Sequence, residues 1–310
     1  MKENKILKQI NKMKPFMKKT VEVMKKGALK IWNMLKRNRR SALVFLPIFL
    51  ILYYVVGSAV SEKIDKNTNF EIKNVDKGYA YVQASADLIR REIDEHLFTP
   101  NLPFVFPAWA LDNMPAFQKG IIGQLQSVAH TSALNVNSEA LQKADELLSY
   151  PSEVWLFSQT KDFRIEPSSV AQYRKARRYL LKFNEHAKRD DAMFEKILAA
   201  LYEDLANIQT LLEKQIATQK SGNADDVFYF SQGRLYALYV VMKAIQKDSG
   251  TDLSSVSEPM EQALNLNPTY VKNGALAGFS SPNHLLELAY FTLKARYALS
   301  ELLRKAENAD

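Results

Sequence analysis

A chain of 310 residues, 47% of them hydrophobic, with only 10 Gly and 11 Pro, has the composition of a helical, core-forming protein of one or two domains, not of a disordered or β-rich one. Its formal charge of +8 is unevenly placed: residues 1–41 hold 14 Lys and Arg against Glu3 and Glu22, which leaves 28 bases against 32 acids in the remainder. The mildly acidic bulk excludes a basic nucleic-acid-binding globule, and the lack of cysteine excludes a disulfide scaffold, a thiolate metal site, an iron–sulfur cluster and a cysteine nucleophile.

The basic arm, residues 1–41, has a helical rhythm. Ile6, Ile10, Met13, Met17, Val21, Met24, Ala28, Ile31 and Leu35 recur at three- and four-residue steps with lysines between them, and Pro15 divides the run. The pattern predicts a basic amphipathic helix lying on the anionic inner leaflet of a lipid bilayer, each lysine contributing about 1 kcal/mol. A flexible topogenic tail is the alternative. Phe16 and Trp32 are too few for a base-stacking platform, so no nucleic-acid partner is expected.

Residues 42–60, ALVFLPIFLILYYVVGSAV, carry no charge. At about 1.5 Å per residue such a helix spans roughly 28 Å, the expected length of one transmembrane crossing. Lys36, Arg37, Arg39 and Arg40 precede it, whereas Glu62, Lys63, Asp65 and Lys66 cancel behind it. The positive-inside rule then puts the N-terminus in the cytoplasm and the rest in the periplasm, at the cell inner membrane. Gly57 and Ala59 would suit a signal-peptide cleavage site, but the basic region is too long, which favours an uncleaved anchor. Residues 61–74 read as a juxtamembrane linker and 75–310 as a helical periplasmic domain.

In that domain the periodicity predicts helices over 79–97, 116–133, 139–149, 169–187, 192–220, 225–247, 255–264 and 282–306. In the fifth, Phe194, Leu198, Leu201, Leu205, Ile208 and Leu212 step by alternating fours and threes, a seam expected to pack on another helix of the same chain, with a coiled-coil dimer as the alternative. The last opens with Ser281 and Pro282, a cap followed by proline at the first helical position. No strand alternation stands out. The fold class is therefore all-α: one transmembrane helix followed by a multi-helix bundle.

One stretch departs from the pattern. In residues 99–120, Pro100, Pro103, Pro107 and Pro115 forbid a continuous helix, and Phe104, Phe106 and Trp109 are too apolar for a solvated loop. It predicts an ordered strap packed across the bundle with Trp109 buried, either as core cover or lining a cleft.

GYAYVQASADLIRREIDEHL, PAWALDNMPAFQKGII, DDVFYFSQGRLYALYVVMKAI and NGALAGFSSPNHLLELAYFTLKARYALSELL resemble the bacterial family catalogued as domain of unknown function 2333, over roughly residues 75–303. The resemblance implies a single-pass envelope protein with a shared helical fold. It carries no catalytic residues over to this chain.

Chemistry-bearing motifs are sparse. His96, His130, His186 and His284 form no metal-ligand spacing, and HExxH, GxSxG, Walker A and GxGxxG patterns are lacking. No catalytic, cofactor-binding or metal residues are expected. Six positions remain as cleft or structural candidates. Trp109 belongs to the strap. Asp112 and Asn113 should cap the helix that follows. Arg234 lies in a strongly apolar helix and needs a carboxylate if it turns inward, with Asp112 or Glu287 as the expected partner. Asn283 and His284 sit in the first turn of the last helix as cap or solvent residues. The expected function is interaction or scaffolding in the cell envelope, with an unidentified envelope protein as partner. The alternatives are a periplasmic enzyme acting on cell wall or lipid, or a sensory input module working through a partner protein.

Overall fold

The structure, a computed structural model, describes residues 39–61, 64–159, 165–218, 223–268, 271 and 283–308. The amphipathic helix expected in the arm lies outside these residues; the last helix starts at His284 with Asn283 as its cap, later than the Ser281–Pro282 start expected, because the Asn283 side chain takes up a free N–H of the first turn. The chain divides into two units, Met1–Val56 and Gly57–Asp310.

Of the first unit, the described part belongs to helix α1 (Arg39–Ser61), which holds Pro47 in its N-terminal part. Leu46, Ile48, Phe49, Leu50, Ile51 and Leu52 are all exposed. Residues this close in sequence point in every direction around a helix, so Leu46–Leu52 buries no face. Among the described residues no helix is long and apolar enough to cross a membrane. In α1 the described side chains run from Leu46 to Ser61, roughly 24 Å at 1.5 Å per residue, against a hydrocarbon core of about 30 Å.

The second unit is helical, with α2 (Ala80–Arg90) running on as a π turn (Arg91–Glu95), then α3 (Asn113–Asn135), α4 (Glu139–Leu148), α5 (Ser169–His186), α6 (Asp191–Thr218), α7 (Ala224–Ser249), α8 (Ser254–Asn265) and α9 (His284–Glu307). Each helix expected from periodicity has its counterpart. The sequence reading missed one feature. Phe157–Gln159 (β1) and Ile165–Pro167 (β2) pair antiparallel, Phe157 opposite Pro167. Three residues a side are too short to show alternation, and they leave the all-α class intact.

Helix α7 is the axis of this body. It is buried on nearly every side from Phe228 to Ile245 and packs against α2, α3, α6 and α8. Its approach to α3 is the closest, and two glycines make it possible. A Cβ on Gly120 would collide with the Phe230 carbonyl, and one on Gly233 with the Phe117 carbonyl. The crossing is therefore backbone on backbone. The α6 seam is buried within the chain, with Leu201, Leu205, Ile208 and Leu212 fully covered by neighbouring helices, chiefly α9.

The chain enters α2 through a polar junction. Gly78 takes the left-handed conformation, φ 75°. Asn184, at the end of α5, accepts from the Tyr79 N–H at 2.7 Å and donates to the Tyr79 carbonyl at 3.1 Å. Arg189 donates to the carbonyls of Gly78 (2.7 Å) and Val75 (2.9 Å) and pairs with Asp248 at 3.0 Å, whose other oxygen accepts from the Ala80 N–H.

The strap is shorter than its prolines suggested. Pro115 occupies the first turn of α3, where no N–H partner is required, so the helix begins at Asn113. Before it, Pro107–Ala110 forms a 3-10 turn. The expectation that Trp109 is buried is overturned: Ala108 is 1% exposed and Trp109 57%. Neighbours in so tight a turn face apart, and the small residue, not the indole, takes the inward position.

Candidate functional site

The six sequence candidates do not converge. Asp112 is the N-cap of α3 as expected, its Oδ1 accepting from the Asn113 N–H at 2.9 Å. Asn113 is the first helical residue rather than the cap, and its Oδ1 is buried without a hydrogen-bond partner. Asp112 also borders a cleft of about 480 Å³ with Pro115, Lys119, Leu211, Asp226 and Phe230. Partial burial, together with the charges of Asp225 and Asp112, raises the Asp226 carboxyl above its ordinary value. Asn283 caps α9, its side chain accepting from the Leu286 N–H at 3.2 Å, and His284 opens that helix.

Arg234 turns inward, but to neither expected carboxylate. Its Nη2 meets Asp204 Oδ1 of α6 at 2.9 Å and its Nε donates to Gln124 Oε1 of α3 at 3.2 Å. Asp204 is saturated further by Gln124 Nε2 (2.6 Å) and the Ser127 hydroxyl (2.9 Å). Desolvation lowers the Arg234 guanidinium from its ordinary value, opposed by Asp204. Every strong acceptor here has its donor, which is the signature of a structural ion pair.

A second polar knot, which the sequence reading missed, forms at the π turn. Arg91 pairs with Glu92 at 2.7 Å, donates to the Tyr236 hydroxyl at 2.6 Å, and stacks over the Tyr236 ring at 4.8 Å from its centroid. Gln118 donates to Glu92 Oε2 at 3.1 Å while accepting from the N–H and hydroxyl of Thr99. His96 stands 3.5 Å from Glu92 and 3.8 Å from Asp65. Burial works against ionised Glu92, but His96, Arg91 and Gln118 outweigh it and hold the carboxyl below its ordinary value. Burial pushes the Tyr236 phenol up to about 12. Arg91 and Glu92, the first two residues of the π turn, are both buried. Glu92 is 1% exposed, so no substrate reaches it; the knot fastens α2, α3 and α7 together.

Lys66 is held similarly. Its ammonium donates to the Leu266 carbonyl just past α8 at 2.8 Å and to Gln232 at 3.3 Å, and burial pushes it down to about 8. A cation there complements the negative end of the helix.

The unusual chemistry of the surface is apolar. Phe104, Val105, Phe106 and Trp109 of the strap are exposed, as are Trp155 and Leu156. Phe106 and Trp155 meet edge to face at 5.9 Å, and Asn101 donates to the Val154 carbonyl, so the two loops present one aromatic surface. On α9, Leu286, Tyr290, Leu293 and Tyr297 form a second exposed stripe at four- and three-residue steps, beside a cleft of about 620 Å³ shared with α8. Among the described residues no group of His, Asp and Glu is placed to hold a metal ion. No family model matches the chain, and no curated protein or solved structure matches it either.

Proposed function

We propose that the chain is a single-pass protein of the bacterial inner membrane. In this reading α1 crosses the bilayer through its uncharged residues 41–61, and the basic arm lies on the anionic cytoplasmic leaflet. The helical body faces the periplasm and serves as an interaction or scaffold component of the envelope. One observation carries the reading: apolar surface is left outside, all around α1 and along α9, while the buried charges are spent on one another. Exposed contiguous apolar surface marks contact with membrane or partner rather than with water.

Two measurements test it. A phosphatase reporter fused after Asp310 is expected to be active and one fused after Arg40 inactive, because the charge bias sets the orientation; the reverse pattern would sink the topology. A photo-crosslinker placed at Tyr290 or Tyr297 in cells should give a discrete adduct with an envelope protein. Loss of that adduct at both positions, in a chain that still reaches the membrane, removes the scaffold reading.

A further inference from the structure

We propose that the aromatic surface formed by the strap and the loop at Trp155 is a second membrane contact, seated in the headgroup region of the outer leaflet of the same bilayer. The proposal rests on the reading of α1 as the membrane anchor. Its geometric basis lies within Gly57–Asp310. Ser58, in the last turn of α1, donates to the Pro107 carbonyl at 2.7 Å, and the Pro107 ring lies so close to Gly57 that a Cβ there would collide with it. The strap therefore meets the chain where the apolar helix ends.

The composition of the surface fits that depth. Phe104, Phe106, Trp109 and Trp155 are large and aromatic, and the surface they form is exposed rather than folded inward. Tryptophan favours the membrane–water interface, where its ring is shielded and its N–H stays wet. The interior of the strap is independently secured: Phe98 and Ala108 are buried, and the Thr99 hydroxyl and N–H bind Gln118. The 3-10 turn that sends Ala108 inward delivers Trp109 outward.

The test uses the full chain reconstituted in vesicles of zwitterionic and anionic phospholipid. Two single-tryptophan proteins are compared: Trp32→Phe/Trp155→Phe, which keeps Trp109, and Trp32→Phe/Trp109→Phe, which keeps Trp155. Lipids brominated high on the acyl chain should quench the fluorescence of both by about half or more, and lipids brominated near the bilayer centre should quench much less, as interfacial seating requires. If the chain resists alkaline carbonate extraction while both tryptophans escape quenching, the anchor reading stands and the docking proposal is overturned, the surface being then a protein contact. If carbonate extracts the chain, the anchor reading fails and the docking falls with it. Quenching by the deep bromines alone also overturns the proposal, since it places the rings in the hydrocarbon core.

Discussion

Asp204 and Arg234 sit on α6 and α7, and each is buried enough to make the other indispensable. Asp204→Ala leaves a guanidinium with only the Gln124 amide oxygen, and we expect a loss of about 3 kcal/mol, the lower end for breaking a buried pair because Arg234 keeps some contact with solvent. Asp204→Ala/Arg234→Met should recover most of that loss, since an apolar pair of similar size removes the stranded charge. Denaturant titration of the two proteins decides the matter; equal stability of the single and double variants would contradict it. Lys66 makes a different forecast. Its folded pKa, about 8, lies below its ordinary 10.5, so between those values the unfolded chain binds more protons and stability from this group rises with pH. Below pH 8 both states are protonated and the slope vanishes. The melting temperature of the wild type relative to Lys66→Met should therefore climb from pH 8 to pH 9.5, a range in which the buried tyrosines cancel from the difference. A gap that shrinks over that range would overturn the assignment.

Among the elements, α3 carries its own control experiment. Gly120 and Gly123 are both helical, yet a Cβ at Gly120 strikes the backbone of α7 and one at Gly123 meets nothing within 4 Å. Gly120→Ala should cost about 2 kcal/mol by forcing the helices apart, whereas Gly123→Ala should gain about 0.5–1 kcal/mol from the entropy of the unfolded chain. Thermal melts of the pair must move in opposite directions for the close crossing to be right. The comparison also shows what was legible in the sequence. Helix positions, the Asp112 cap and the buried α6 seam could be read because they are local: periodicity and capping are written within a few residues. The partner of Arg234 could not be, since Asp204 lies on another helix and only the crossing of α6, α3 and α7 brings them together. Nor was the knot at Arg91 and Glu92 visible, because Gln118 and Tyr236 reach it from other helices. The run of charged residues in DLIRREIDEHL was the one available hint of it. The strap shows the limit of a transfer-energy argument: burying an indole is favourable, but the backbone turn decided which of two adjacent side chains went inward.

For the whole molecule, the junction ahead of α2 sets a mechanical property. Asn184 grips both the N–H and the carbonyl of Tyr79, as a neighbouring β-strand would, and Arg189 and Asp248 hold the residues on either side. These bonds lie across the path by which the chain enters the helical body, so tension drawn along that path loads several of them at once, in shear, before any helix of the core is peeled. The junction acts as a strain relief. Pulling on the chain between residues 74 and 308 in a single-molecule force experiment, past the separate hold of Lys66 on Gln232 and Leu266, should give one early rupture ahead of the main unfolding event, and Asn184→Ala should lower that first rupture force while leaving the later one in place.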